Sequence, residues 1–300
     1  MATVDLTPGT ATSLPAPSAP TVARHRVTDF EQWRVVTWHQ IQHYLRTNRF
    51  FGLLAFVFAI SALTLTLEVS AGVTVVQAQQ LNSSMYLNNY LGWTGLWVIL
   101  AAAFFGGDAL SMDFSGGTGY YMLVLPIRRP TLLAGRYTAA ALVTLSVVAL
   151  YFAFATAGAA YFFGGLRNLP WSLLAESIGV AAVFTLATLS VAFTVSSFFR
   201  SPTAGVLVTV LVLYVAFTTL ENVWEIAGLE PWFSLNYAGS AISTVFATNF
   251  THYQLVPLGA AQSYAVWTAT VSEGVGIMLG YLLVFLPLSA YIYHRRESTG

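Results

Sequence analysis

The chain has 300 residues, of which 56% are hydrophobic and only 8% charged, and its twelve basic and twelve acidic residues give a formal net charge of zero. Because soluble domains carry roughly a quarter charged residues, this composition and a mean hydropathy of +0.68 exclude an ordinary soluble protein and indicate an integral membrane protein. Every basic residue is arginine, and cysteine is absent. The chain therefore lacks the lysine of a Walker A phosphate loop, the amine of a Schiff base, and any thiolate nucleophile, disulfide or cysteine metal ligand.

The N-terminal part of the sequence divides into a tail and a helix. Residues 1–27 are rich in alanine, proline, threonine and serine and contain no apolar run long enough for a signal peptide, which predicts a disordered cytoplasmic tail. Thr28 and Glu31 then form a Thr-x-x-Glu capping box, which predicts a helix start. Residues 28–49 place aromatic side chains on one side and polar side chains on the other, as in a helix lying in the membrane interface. A soluble helix packed on a partner would show the same pattern.

Six apolar segments follow, and each is long enough to cross a bilayer as a helix. They are residues 50–67, 91–109, 138–163, 178–199, 203–220 and 275–293. The sequence thus predicts an all-α integral membrane protein, in which an interfacial amphipathic helix precedes a six-span transmembrane domain over residues 50–296. Residues 297–300 form a short C-terminal tail.

The arginines predict the orientation. With the N-terminus in the cytoplasm, eleven of the twelve arginines fall on the inner side and only Arg167 falls outside. This bias follows the positive-inside rule and places both termini in the cytoplasm of a multi-pass protein of the cell (plasma) membrane.

The outer segment at residues 221–270 is too apolar for a simple loop. Its stretches 231–247 and 255–265 are too short to span, which favours helices that dip into the outer leaflet or cap the spans. An ordered surface loop packed on the spans is the alternative.

Three acidic residues lie near span ends. Asp108, at the inner end of the second span, could gate the pathway or bind a cation, or it could pair with an arginine such as Arg136 or reach inner-leaflet water. Glu176 and Glu273 lie near the outer ends of the fourth and sixth spans, where they meet the outer interface or bind a cationic substrate. No histidine cluster has the spacing of a metal site, so neither a catalytic site, a cofactor site nor a metal site is predicted.

The most unusual stretch is the cytoplasmic loop at residues 111–137, which carries glycines, prolines and arginines between the second and third spans. Its middle, residues 120–125, is apolar but short, and glycines precede it while Pro126 follows it. This pattern predicts a short element lying along the membrane. Such an element is suited to being gripped by another protein.

The order of residues in this loop resembles the signature loop of type 2 ATP-binding-cassette (ABC) membrane subunits. The matching positions are Asp113, Gly117, Thr118, Pro126, Arg129, Gly135 and Arg136. The family usually has lysine at the last of these positions, and arginine keeps the charge but changes the geometry of any salt bridge. The interfacial helix, the six spans and the outer insertion before the last span also resemble that family over residues 29–296.

The resemblance implies that this loop is a coupling helix that docks on an ATPase subunit. Gly117 and Thr118 would begin the coupling element, Pro126 would end it, and Arg129 and Arg136 would face the inner leaflet or an acidic partner surface. These arginines could instead only set the topology and contact anionic lipid.

The implied function is the permease subunit of an ABC exporter. It would work as a dimer with a second permease subunit and with ATPase subunits that bind ATP and Mg²⁺, would move a hydrophobic or lipid-like substrate, and would have no nucleic-acid partner. Two alternatives stay open. One is a membrane-embedded lipid-modifying enzyme that uses Asp108 and Asp113, and the other is a non-catalytic anchor for a cytosolic protein.

Overall fold

A computed structural model describes residues 28–114, 128–247, 250–257 and 263–298. Within these residues, six helical segments are long and apolar enough to cross a membrane, which confirms the predicted fold class. The spans, numbered in chain order, are Asn48–Ala71, Ser83–Gly106, Arg129–Phe162, Trp171–Phe198, Pro202–Ile226 and Val271–Arg295.

The helices of the described residues can be given in chain order. They are α1 (Asp29–Arg46), α2 (Asn48–Ala71), α3 (Val73–Gln79), α4 (Ser83–Leu91), α5 (Thr94–Gly106), α6 (Ser111–Phe114), α7 (Arg129–Phe162), α8 (Trp171–Phe198), α9 (Pro202–Val210), α10 (Phe217–Ile226), α11 (Leu235–Gly239), α12 (Ala241–Thr244) and α13 (Val271–Ser298). A π-helical turn at Leu211–Ala216 joins α9 to α10, and a 3₁₀ turn at Leu166–Asn168 follows α7.

Helix α1 begins at the predicted capping box. The hydroxyl of Thr28 accepts a hydrogen bond from the backbone N–H of Glu31 at 3.3 Å, and the Glu31 carboxylate accepts one from the N–H of Thr28 at 2.9 Å. These two bonds satisfy amides that would otherwise have no partner at the helix start.

The core of the bundle is formed by α5, α7 and α8, which are rich in small residues at their contacts. Between 56% and 67% of the residues in the apolar stretches of the second, third and fourth spans are buried within the chain, against 22%, 17% and 11% for the first, fifth and sixth. Small residues allow close helix approach, which matters in a membrane because lipid is as apolar as the side chains that it replaces. The three less covered spans therefore offer their faces to lipid or to another protein.

The two ends of the bundle differ. One end holds α1, the turn after α5, and the beginning of the third span, and we call it the arginine-rich end because Arg49, Arg128, Arg129 and Arg136 lie there. The opposite end, which we call the hairpin end, holds α11, α12 and the strands β1 (Tyr253–Pro257) and β2 (Ser263–Trp267).

The strands correct one prediction, since a helix was expected within 255–265. The strands β1 and β2 pair antiparallel there, with Tyr253 opposite Trp267. Each strand is five residues long and rich in aromatic and β-branched residues, and such a short apolar run cannot be assigned to helix or strand from its periodicity alone. The pair is anchored to the fifth span because the Glu225 carboxylate accepts a hydrogen bond from the N–H of Trp267 at 3.3 Å.

The fifth span crosses the arginine-rich end of the second span through a contact between two glycines. A methyl group placed on Gly205 would collide with the carbonyl oxygen of Gly107, a backbone atom that cannot rotate away. Only glycine at residue 205 permits this approach.

We expect Gly205→Ala to destabilise the protein by about 1–3 kcal/mol, the usual cost of overpacking a tight contact. The thermal midpoint of the purified protein in detergent, followed by tryptophan fluorescence, measures this loss. Gly179→Ala is the matched control, because no atom lies within 4 Å of the added methyl group and alanine favours the helix. Equal midpoints for Gly205→Ala and the wild type would contradict the contact.

Candidate functional site

The candidate site lies at the arginine-rich end, on either side of residues 115–127, which are outside the described residues. We define the Asp108 cluster as Tyr44, Arg49, Asp108 and Arg136. Helix α1, the first span, the turn after α5 and the third span each supply one of these residues.

Asp108 forms a buried ion pair. Its side chain is only 4% exposed, and its Oδ2 lies 2.6 Å from Nη1 of Arg49, whose side chain is 46% exposed. The predicted partner was an arginine such as Arg136, but the Arg136 guanidinium instead donates to the carbonyl oxygen of Ala109 at 3.0 Å. The reason is a helix break, because α1 ends at Arg46 and α2 begins at Asn48, which turns Arg49 from the predicted polar face of the interfacial helix towards the bundle.

The environment of Asp108 disfavours its charge. Burial raises the pKa of Asp108 to about 6, although Arg49 pulls the pKa in the opposite direction. The other carboxylate oxygen, Oδ1, is buried and has no hydrogen-bond partner within the part of the chain that the structure describes. The pair with Arg49 thus compensates only part of the cost of burying this carboxylate.

The turn that carries Asp108 is fixed to the fourth span. The hydroxyl oxygen of Ser196 accepts hydrogen bonds from the N–H groups of Leu110 and Ser111, at 3.1 and 3.2 Å. These bonds satisfy buried amides beyond the end of α5. They also connect the start of the loop directly to the fourth span.

Helix α1 docks against the beginning of the third span and the end of the second. The indole of Trp33 donates to the hydroxyl of Thr138 at 3.3 Å, and the Tyr44 hydroxyl donates to the carbonyl oxygen of Phe105 at 2.7 Å. Gly135 permits the approach, because a methyl group there would come within 2.7 Å of a methyl carbon of Val36. The predicted apolar face of α1 is therefore divided: Tyr44 is buried in the bundle, while aromatic residues such as Trp38 stay exposed.

Two arginines at the start of the third span reach neighbouring helices. Nη1 of Arg128 lies 2.7 Å from Oδ2 of Asp29, and both side chains are more than half exposed. Nη1 of Arg129 lies 3.4 Å from Nδ1 of His294, near the end of the sixth span. The residues that follow the loop thus contact both α1 and the last span.

The predicted loop residues have three different outcomes. The structure brings Arg129, Gly135 and Arg136 together on the first turns of α7, but Arg136 is 4% exposed and points into the bundle, not towards the leaflet or a partner. The backbone of Asp113 lies in α6, and its side chain is outside the described residues. The remaining predicted positions, Gly117, Thr118 and Pro126, also lie outside the described residues.

Glu176 and Glu273 both lie at the hairpin end. Glu176 is exposed in the first turns of the fourth span. Glu273 is partly buried in the first turn of the sixth span, beside Glu230 and His252. Sequence patterns could not reveal this grouping, because Glu230, His252 and Glu273 are far apart along the chain.

Two cavities lie at opposite ends of the bundle. A groove of about 620 Å³ between the third and sixth spans has apolar walls, including Leu133 and Leu286, and has Arg128 and Arg129 at the arginine-rich end. A second cavity of about 500 Å³ lies nearer the hairpin end, and we call it the aromatic cavity because six of its fourteen lining residues are aromatic. Polar residues, including Glu68, Gln80 and Asn89, also line it. The aromatic residues are Phe56, Tyr86, Tyr90, Trp93, Trp97 and Tyr151.

The family model for "ABC-2 family transporter protein" matches residues 34–298, which includes most of α1, all six spans and the Asp108 cluster. The chain belongs to the ABC-2 transporter family. It is therefore a multi-pass membrane protein, and as a permease subunit of an ABC transporter it works with an ATPase partner. No protein in the curated set matches this ABC-2 subunit.

The pKa of Asp108 predicts a pH dependence of stability. Because folding raises this pKa from 3.8 to about 6, the contribution of Asp108 to stability is full below about pH 4 and is lost as the pH rises through about 6. The loss amounts to roughly 3 kcal/mol, from 1.36 kcal/mol per pKa unit. We expect the thermal midpoint of the wild type to fall, relative to that of Asp108→Asn, between about pH 4 and pH 6.5.

Asp29→Asn is the control for this pH series, since the carboxylate of Asp29 is also paired with an arginine but is 56% exposed. At pH 7.5 its thermal midpoint should stay close to that of the wild type, because an exposed ion pair contributes little to stability. Parallel profiles for Asp108→Asn and the wild type would show that the charge of Asp108 is not disfavoured in the folded protein.

Proposed function

We propose that this ABC-2 subunit forms the membrane pathway of an exporter in the plasma membrane. Two such subunits, identical or homologous, assemble with two ATPase subunits that bind ATP and Mg²⁺, and the arginine-rich end faces the cytoplasm. The transported substrate is apolar or lipid-like and moves outward. The observation that carries the proposal is the way in which both ends of the loop at residues 111–137 are fixed to the spans.

The N-terminal end of the loop is connected to three spans. The turn between the second span and this end of the loop is hydrogen-bonded to Ser196 of the fourth span. The ion pair between Asp108 and Arg49 links the same turn to the first span. A displacement of the loop would therefore reach the first, second and fourth spans through short polar contacts.

The C-terminal end of the loop is connected to the other side of the bundle. It continues into the third span, where Gly135 packs on Val36 of α1 and Arg129 contacts His294 of the sixth span. Because helices are stiff, a force applied to the loop by an ATPase that closes around ATP would tilt or shift several spans together. This supports a coupling role for the loop.

The two cavities support an apolar substrate. The groove between the third and sixth spans has Arg128 and Arg129 beside one opening, so it suits a molecule with an apolar body and an acidic or polar head group. The aromatic cavity towards the hairpin end offers a second apolar surface, beside Tyr86 and Trp97. Outward transport would pass a substrate from the first cavity towards the second.

The less covered spans support a second subunit. Both the first and the fifth span contact the second span, and each leaves large apolar side chains exposed. They include Phe56, Leu63, Leu67, Leu207, Leu211 and Val215. A second permease subunit placed on this face would cover them and complete the pathway.

The test is to purify the tagged chain from its native membrane in mild detergent and to reconstitute it in lipid nanodiscs. We expect two permease subunits and two P-loop ATPase subunits by native mass spectrometry, with ATP hydrolysis that vanadate inhibits. A chain that purifies alone and shows no ATP hydrolysis, under conditions that preserve other membrane complexes, would contradict the proposal.

Arg129→Ala tests coupling within the same complex. We expect substrate-stimulated ATP hydrolysis to fall by about fivefold or more, the range of a typical coupling free energy, while membrane insertion is retained. Arg167→Ala is the matched control, because Arg167 lies beyond the opposite end of the third span. Intact stimulation in Arg129→Ala would remove this arginine from the coupling path.

A further inference from the structure

Three side chains with metal-binding atoms meet at the hairpin end. We call Glu230, His252 and Glu273 the outer triad; they lie after α10, before β1 and in the first turn of α13. One ligand atom of each lies within 4.8 Å of the ligand atoms of the other two. Nε2 of His252 is 3.4 Å from Oε1 of Glu230, and Nδ1 of His252 is 4.0 Å from Oε2 of Glu273.

The imidazole of His252 is oriented as in metal sites. Its Nδ1 lies 2.9 Å from the carbonyl oxygen of Thr268, to which a protonated Nδ1 donates. This hydrogen bond leaves the lone pair of Nε2 directed to the side of Glu230, where a cation would bind. The ring of Trp267 packs edge-on against the imidazole at 5.4 Å between centroids and holds it in place.

The carboxylates are also held by surrounding groups. The buried hydroxyl of Tyr237 donates to Oε1 of Glu230 at 2.7 Å. Thr270 holds Glu273: its N–H and hydroxyl each lie 3.4 Å from Oε2 of Glu273, while its hydroxyl accepts from the backbone N–H of Glu273 at 3.3 Å. Hydrogen bonds of this kind orient carboxylate ligands before a metal binds.

The two carboxylates of the outer triad are close enough for a cation to bind between them. One carboxylate oxygen of Glu230 and one of Glu273 lie within 4.8 Å of each other. Two like charges at this distance repel each other, and a cation between them removes the repulsion.

The outer triad is accessible to ions. The side chains of His252, Glu230 and Glu273 are 37%, 29% and 30% exposed, so an ion can enter from the aqueous phase without opening the bundle. A set of one imidazole and two carboxylates suits Zn²⁺ or a similar transition metal, whereas Ca²⁺ prefers six to eight oxygen ligands.

We propose that Glu230, His252 and Glu273 bind one divalent transition-metal ion, best matched by Zn²⁺, with water completing the coordination. The ion would fasten the segment after the fifth span, the start of the β1–β2 pair and the start of the sixth span to one another. This proposal does not depend on the substrate, the direction of transport or the ATPase, and its test needs none of them.

The first measurement is Zn²⁺ binding to the full chain in detergent after treatment with EDTA, by titration against a fluorescent chelator. We expect one Zn²⁺ per chain, a rise of the thermal midpoint with Zn²⁺, and d–d absorption bands when Co²⁺ replaces Zn²⁺. Binding well below one ion per chain, or binding with no rise of the midpoint, would overturn the proposal.

Variants assign the ligands. His252→Ala and Glu273→Gln should each weaken Zn²⁺ binding by more than about tenfold and abolish the Co²⁺ bands, and Tyr237→Phe should weaken binding by about tenfold while keeping the bands. Glu176→Gln, which removes an exposed carboxylate at the same end, is the matched control and should bind like the wild type. Equal thermal midpoints in EDTA verify that each variant is folded. Unchanged binding in His252→Ala would show that the metal binds elsewhere.

Discussion

The structure depends on one constraint: inside hydrocarbon, no water can hydrogen-bond to the backbone, so every crossing segment must satisfy its own N–H and C=O groups as a helix. Side-chain hydroxyls obey the same rule. In the fourth span, the hydroxyls of Thr185 and Thr188 donate to the carbonyl oxygens of Ala181 and Phe184 in their own helix, at 2.8 and 2.7 Å. The spans are thereby stiff helices whose backbone is satisfied internally, and hydroxyl groups join neighbouring spans also in the middle of the bundle, where the hydroxyl of Thr194 donates to the carbonyl oxygen of Phe285 at 2.8 Å.

The contacts at the arginine-rich end support the coupling role that we propose for it. Its helices are joined by short, directional contacts: the ion pair between Asp108 and Arg49, the bonds of Ser196 to the turn after α5, and the close packing of Gly135 on α1. Apolar side chains in lipid can slide past one another at little cost, whereas these polar contacts fix the position of each span relative to the next. Because the spans are stiff and are joined at this end, a displacement of the loop would also move the ends of the spans at the hairpin end.

Features that depend on residues close together in the sequence, such as spans and helix starts, could be predicted. Contacts between residues far apart in the sequence could not. Apolar length predicted the six spans, and the capping box at Thr28 predicted the start of α1. An arginine such as Arg136 was one predicted partner of Asp108, and the arginine that pairs with it is Arg49, because a helix break at Thr47 turns Arg49 towards the bundle. The strands were missed because five-residue apolar runs carry no decisive period, and the outer triad was missed because its members come from three separate segments. Hydrophobic periodicity shows which residues share one face of a helix or strand, but it does not show which residues from separate segments come into contact.

The distribution of arginine also explains why the carboxylates at the two ends have different partners. The two arginine–carboxylate pairs described above, of Asp108 and Asp29, both lie at the arginine-rich end. At the hairpin end, several carboxylates accept hydrogen bonds from hydroxyl or amide groups: Glu68 accepts from Tyr86, and Glu221 accepts from Ser234. If the arginine bias is what sets the orientation in the membrane, the same bias leaves the outer end short of permanent positive charge. Two neighbouring carboxyl groups there can be neutralised by a proton or by an ion from solution, and the position of Nε2 of His252, 3.4 Å from Glu230, supports the proposed metal ion.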